Sequence, residues 1–185
     1  MGEQHKKHSR REHLNDFHLN VAGEYVYDGA LYACQSSKEK QHRIKRAVWG
    51  MVAILIVAVI AGGCIPAPGM QNCFYVLLPY LGEFLGAASV IWALAKLGMD
   101  WGTVREYNYK KSVAVLPVRT AVTAVFSLLG IVCELIFFFV NDHAGQTFFA
   151  LLYVLLKLTA LLSVLVLRAE IMQAEWDKLP KKDNS

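Results

Sequence analysis

Four apolar runs divide this chain and decide what it can fold into. They cover residues 47–63, 74–97, 118–140 and 147–167. Each run is close to the roughly 20 residues that a helix needs to cross a hydrocarbon layer about 30 Å thick. A spanning helix also satisfies its own backbone hydrogen bonds, which lipid cannot do. The sequence therefore predicts an all-α membrane protein with a four-helix transmembrane bundle over residues 47–167.

Lys and Arg are distributed unevenly among the segments that connect these runs. Nine lie in the first 46 residues, three in residues 98–117 and four after residue 167, whereas residues 64–73 and 141–146 contain none. Basic connections stay on the cytoplasmic side of a membrane. This pattern predicts a protein of the cell membrane with both termini and the middle connection in the cytoplasm. Its formal net charge of +4 then favours anionic lipid headgroups, and not nucleic acid, as a partner.

The segment ahead of the first run has two predicted parts. Residues 1–16 are polar and basic, so they are predicted to be disordered. Residues 17–46 are predicted to form a short cytoplasmic β-ribbon followed by the start of the first helix, because apolar residues or Gly alternate with other residues from Phe17 to Leu31. Ser36 and Glu39 have the spacing of a helix capping box.

Residues 168–185, after the fourth run, are predicted to be a cytoplasmic tail at the membrane interface. Met172, Trp176 and Leu179 recur at helical spacing among charged residues. Such a pattern is typical of an amphipathic helix that lies along the membrane surface. The fourth helix is therefore expected to continue into this tail.

Small residues recur at helical spacing on the second and third runs. They are Gly82, Gly86, Ser89 and Ala93 on the second run, and Thr123, Ser127 and Gly130 on the third. Stripes of this kind let helix backbones approach closely in a membrane. Both stripes are predicted to pack in the bundle interior.

Three ionisable residues lie at membrane depth: Glu83, Glu134 and Lys157. An unpaired charge there costs at least about 2.5 kcal/mol, so all three are predicted to face inward and find partners. Tyr153 precedes Lys157 by one turn and is expected to share its face. Glu134 is the predicted partner of Lys157, because the short segment 141–146 makes the third and fourth helices antiparallel neighbours.

Cysteines give a second, smaller constellation. Cys64 and Cys73 flank the connection between the first two runs, which the charge pattern places outside the cell, where disulfides persist. A disulfide between them is therefore an expectation. The histidines and cysteines lack metal-ligand spacing, and no cofactor-binding motif is recognised, so no metal and no cofactor are predicted.

Three interpretations of function follow from these residues. The first is a non-enzymatic accessory or assembly subunit, which presents its helix stripes and ribbon to a membrane-protein partner or to copies of itself. The alternative is a small proton-coupled transporter using Glu83, Glu134 and Lys157, since two carboxylates against one ammonium leave one carboxyl free to hold a proton. The third is a membrane thiol redox protein using Cys64 and Cys73.

The charge pattern makes a direct prediction about topology. In a background without native cysteines, a cysteine replacing Gln71 or His143 should react with an impermeant maleimide added to intact cells. A cysteine replacing Ser37 or Lys111 should react only after permeabilisation, because positive charge holds these segments inside. Labelling of the Ser37 or Lys111 positions in intact cells would contradict the orientation.

Overall fold

The computed structural model describes residues 17–19, 23, 25–27, 29–98, 101–141 and 146–179. The disorder predicted for residues 1–16 lies outside the described residues, as do residues 180–185 of the tail. In chain order, the elements are β1 (Phe17–Leu19), β2 (Tyr25–Tyr27), β3 (Leu31–Cys34), α1 (Lys38–Cys64), α2 (Pro68–Asn72), α3 (Phe74–Leu97), β4 (Thr103–Arg105), α4 (Glu106–Lys111), a 3₁₀ turn (Val113–Val115), α5 (Leu116–Val140), α6 (Thr147–Met172) and β5 (Trp176–Lys178).

Four of these helices, α1, α3, α5 and α6, are long and apolar enough to cross a membrane. Local chemistry sets their ends. The Ser37 hydroxyl caps α1 by accepting a hydrogen bond of 3.3 Å from the backbone N–H of Lys40, so the capping residue is Ser37 and not the predicted Ser36. Gly98 ends α3 with a φ of 72°, a left-handed conformation that favours glycine. Pro117 lies in the first turn of α5, where its missing N–H costs nothing.

The four spans form a ring in which three seams are extensive and one is thin. α1 packs along α6, α6 along α5 and α5 along α3, whereas α1 and α3 touch only briefly. Gly82 and Gly86 of α3 lie where α3 packs tightly against α5. A Cβ added to Gly86 would lie 2.6 Å from the Thr123 hydroxyl oxygen, and one added to Gly82 would collide with the ring of Phe126. Gly82 and Gly86 of the predicted small stripe therefore face the third span.

At one end of the bundle, three remote segments meet in a single sheet. β3 is the central strand and pairs antiparallel with β4 on one side and β5 on the other. Separately, β1 and β2 pair as an antiparallel hairpin. The alternation between Phe17 and Leu31 covers β1 and β2 and ends at the first residue of β3. β3 pairs with the middle connection and the tail, which no local pattern indicates.

Stacked aromatic rings join this sheet to the helix ends. The rings of Tyr32 and Tyr109 are parallel with centroids 4.1 Å apart, and Trp176 lies 6.0 Å from Tyr109 and 6.3 Å from Trp101. Aromatic pairs add about 0.5–1.5 kcal/mol each beyond the area that they bury. We call β3, β4, β5 and these four rings the sheet platform.

The predicted helical tail is wrong where the structure describes it. α6 ends at Met172, and Trp176 lies in β5, where it is paired with Cys34 of β3. The apolar spacing of Met172 and Trp176 therefore has a different cause, because the Trp176 ring packs in the platform and not on a membrane-surface helix.

The sheet also places the segment before α1, the middle connection and the segment after α6 at the same end of the bundle. An even number of spans requires this arrangement. Which side of the membrane this end occupies stays a prediction from the charge pattern.

Helix packing at Gly86 should be sensitive to side-chain size. Gly86→Leu should lower the free energy of unfolding by about 2 kcal/mol or more, because the added side chain meets Thr123 at an overpacked contact. Gly50→Leu is the matched control, since a Cβ on Gly50 meets nothing within 4 Å. Denaturation in detergent micelles measures both variants, and equal stability of the two would contradict the close α3–α5 contact.

Candidate functional site

The bundle interior contains a buried ion pair between α3 and α6. The Lys157 ammonium donates to Oε2 of Glu83, and the Ser127 hydroxyl of α5 donates to Oε1 at 2.7 Å. Glu83 and Ser127 are fully buried, and Lys157 is 2% exposed. Both carboxylate oxygens of Glu83 therefore have partners. This is the condition under which a buried charge pair is tolerated.

Two tyrosine rings surround the ammonium. Its nitrogen lies 4.4 Å from the ring centroid of Tyr80 and 5.1 Å from that of Tyr153, within the range of cation–π attraction. The Tyr80 hydroxyl also donates to the backbone carbonyl of Val59 in α1 at 3.3 Å. The cluster thus contacts all four spans, and Tyr80 connects α1 to α3 across the thin seam.

Tyr80 was not predicted as a member of the cluster. It precedes Glu83 by three residues on the same helix, a spacing that puts two side chains on one face. The same rule that identified Tyr153 beside Lys157 could therefore have identified Tyr80 beside Glu83.

The ion pair crosses the bundle diagonally, because α3 and α6 each pack along α5. Lys157 passes over Gly130 of α5, where an added Cβ would lie 3.7 Å from its Cε atom. The long flexible stem of a lysine makes this reach feasible. The predicted small residue Gly130 thus lies beneath the lysine stem.

The predicted pair of Glu134 with Lys157 is wrong. Glu134 is fully buried, but its Oε1 accepts a hydrogen bond of 3.4 Å from the backbone N–H of Gly69 in α2. A Cβ on Gly69 would collide with the Glu134 carboxylate, so glycine permits this close approach. The connection between the first two spans therefore folds inward and covers Glu134.

Two buried polar atoms near the pair have no hydrogen-bond partner among the described residues: Oε2 of Glu134 and the hydroxyl of Tyr153. Leaving such a group unsatisfied costs about 1–3 kcal/mol. The interior thus combines a fully satisfied ion pair with a second carboxyl that has a free oxygen.

The cysteines do not form a constellation in this structure. All four are free thiols, with Cys64 exposed and Cys73 partly buried, so the bridge expected between them is not formed here. Among the described residues, no group of three or more His, Cys, Asp or Glu side chains could hold a metal ion.

The chain matches no family model, no curated protein and no solved structure. Its function is therefore argued from the bundle interior and from the surfaces around it.

The observed pairing predicts the outcome of a double-mutant cycle. Glu83→Gln and Lys157→Met should each lower the free energy of unfolding by about 3 kcal/mol, because each leaves one charge unpaired in a low-dielectric interior. The combined variant should recover much of that loss. Glu134→Gln combined with Lys157→Met is the control, and its effects should simply add. Unfolding in bicelles provides the free energies, and coupling of Lys157 to Glu134 but not to Glu83 would contradict the structure.

Proposed function

We propose that the protein is a non-enzymatic accessory or assembly subunit of a complex in the cell membrane, with both termini in the cytoplasm. The observation that carries this proposal is the sheet platform. It brings together three segments that are separated by spans and holds them against the helix ends with packed rings. Such a structure fixes one surface at the membrane boundary, which is what a docking subunit needs.

The strand edges of the platform suit a protein partner. Within the described residues, β5 pairs with β3 alone, so its other edge is open to a further strand there. An open edge can accept a further strand, with main-chain hydrogen bonds supplying affinity. Exposed side chains of both signs lie along the platform strands, including Arg105, Asp177 and Lys178.

The bundle interior also supports a scaffold role. Its principal charges are paired with one another across the helices, and Glu83 and Lys157 are closed to solvent. Paired charges of this kind fix the relative rotation of the spans. The surface that remains for recognition is then the lipid-facing apolar exterior and the platform.

Extraction of the protein from its native membrane in mild detergent, transfer to nanodiscs and native mass spectrometry test this proposal. A defined stoichiometric complex, either with another membrane protein or with further copies of this chain, is expected. Recovery of the wild-type protein alone and monomeric in both media would overturn the proposal.

Paired tyrosine variants locate the docking surface. Tyr32→Ala removes the stacked ring at the centre of the platform and should reduce recovery of the complex at least tenfold. Tyr75→Ala, a half-exposed tyrosine on α3 at the opposite end of the bundle, should leave recovery unchanged. Circular dichroism checks that both variants keep their helices. Equal recovery with both variants would show that the platform is not the docking surface.

A second candidate function, a small proton-coupled transporter, is favoured by one observation. In the part of the chain that the structure describes, buried Oε2 of Glu134 and the buried hydroxyl of Tyr153 each lack a hydrogen-bond partner. A carboxyl in that position avoids the cost of an unpaired charge by holding a proton. Because the α2 connection covers Glu134 through Gly69, movement of that connection would expose the carboxyl to the adjacent solution.

Proteoliposomes with an entrapped pH dye distinguish this candidate from the first. A proton carrier should collapse an imposed pH gradient faster than protein-free liposomes, and Glu134→Gln should abolish the difference. Glu39→Gln, which changes an exposed carboxylate at the start of α1, is the control and should retain the flux. Identical decay with and without wild-type protein would count against the candidate.

A further inference from the structure

An open groove runs along the first half of α1, outside the bundle interior. Its volume is about 860 Å³. Its polar end is lined by Lys38, His42, Arg43 and Arg46, with Glu39 as the opposing acid. All five side chains are exposed. With His42 neutral, three positive charges face one negative charge, so the polar end attracts anions.

The other end of the groove is apolar and lies deeper along the helix. It is lined by Ala47, Gly50 and Met51, which belong to the first apolar run. From residue 42 to residue 50, an α-helix rises about 12 Å. The groove therefore passes from a basic end into the first apolar run, the order in which the headgroup and acyl chain of a phospholipid follow each other.

We propose that this groove binds one anionic phospholipid in a defined pose. Its phosphate lies on Arg43, Arg46 and Lys38, and the first part of one acyl chain lies along the apolar end. Arginine suits phosphate because its planar fork donates two parallel hydrogen bonds. This site is more specific than a general attraction of a basic segment to a charged surface, and it does not depend on the proposed function.

Arg43 also connects the groove to the end of the fourth span. Its guanidinium lies 3.5 Å from the side-chain oxygen of Gln173, just after α6. Because α1 and α6 pack along each other, a phosphate held by Arg43 would contact the junction of the first and fourth spans. The bound lipid would thus fill a fixed position on this seam.

A substitution at Gly50 distinguishes the proposed lipid site from diffuse electrostatic attraction of lipid to a basic surface. A Cβ added there would meet nothing within 4 Å, so a larger side chain can be placed without moving the protein. Gly50→Leu would fill the apolar end of the groove and leave every charge in place. If lipid were retained by charge alone, Gly50→Leu would not change its retention.

Native mass spectrometry of the full chain tests the proposal, with phosphatidic acid as the probe and phosphatidylcholine as the neutral comparison. Wild type should retain one phosphatidic acid in preference to phosphatidylcholine. Arg43→Gln with Arg46→Gln should weaken retention roughly thirtyfold, which corresponds to about 1 kcal/mol for each basic residue removed. Gly50→Leu should weaken retention severalfold with its charges intact.

The control variant combines Lys111→Gln with Lys178→Gln, two exposed cations at the same end of the bundle, and it should retain lipid like wild type. If this control loses as much lipid as the arginine variant while Gly50→Leu loses none, attraction is diffuse and the site is overturned. Full displacement of the lipid by inorganic phosphate would overturn the acyl-chain part of the pose. Should the arginine variant fail to fold, Gly50→Leu still decides the outcome.

Discussion

The ion pair between Glu83 and Lys157 is the interaction on which the rest of the bundle depends. Each charge alone would be costly at membrane depth, so the helices that contain them are held in one relative rotation. The Ser127 hydroxyl of α5 donates to the Glu83 carboxylate. The Tyr80 hydroxyl donates to the backbone carbonyl of Val59 and so extends the cluster to α1. One buried pair therefore links all four helices, and the close contact of Gly82 and Gly86 with α5 adds to it.

Hydropathy predicted the four spans because lipid imposes a length and a composition that one helix satisfies by itself. The partner of Lys157 was harder to predict. Counted from the outer helix ends, Glu83 and Lys157 differ in depth by about 3 Å, whereas Glu134 and Lys157 differ by about 6 Å. Depth alone thus favoured Glu83. Glu134 was predicted because the third and fourth helices follow each other in the chain. The long side chain of Lys157 instead reaches across the bundle to α3, so its partner need not lie on a consecutive helix.

The sheet and the cover over Glu134 could not be predicted from local patterns. Alternation up to Leu31 indicated strands in this segment, but a strand's neighbours depend on which segments the spans bring together. Likewise, the apolar spacing that suggested a helix through Trp176 fits a strand whose ring packs in the platform. The approach of Gly69 to Glu134 depends on how the connection between α1 and α3 folds inward, which its sequence does not specify.

The order in which the sheet strands are synthesised has a consequence for biogenesis. β3 is made before the first span, β4 between the second and third, and β5 after the fourth. The edge of β3 that pairs with β5 therefore stays unpaired until the fourth span and β5 have been synthesised. If one span failed to insert, the strand after it would emerge across the membrane from β3. The completed sheet thus cannot form in a molecule in which a single span has failed to cross, because that failure separates β3 from β4 or β5.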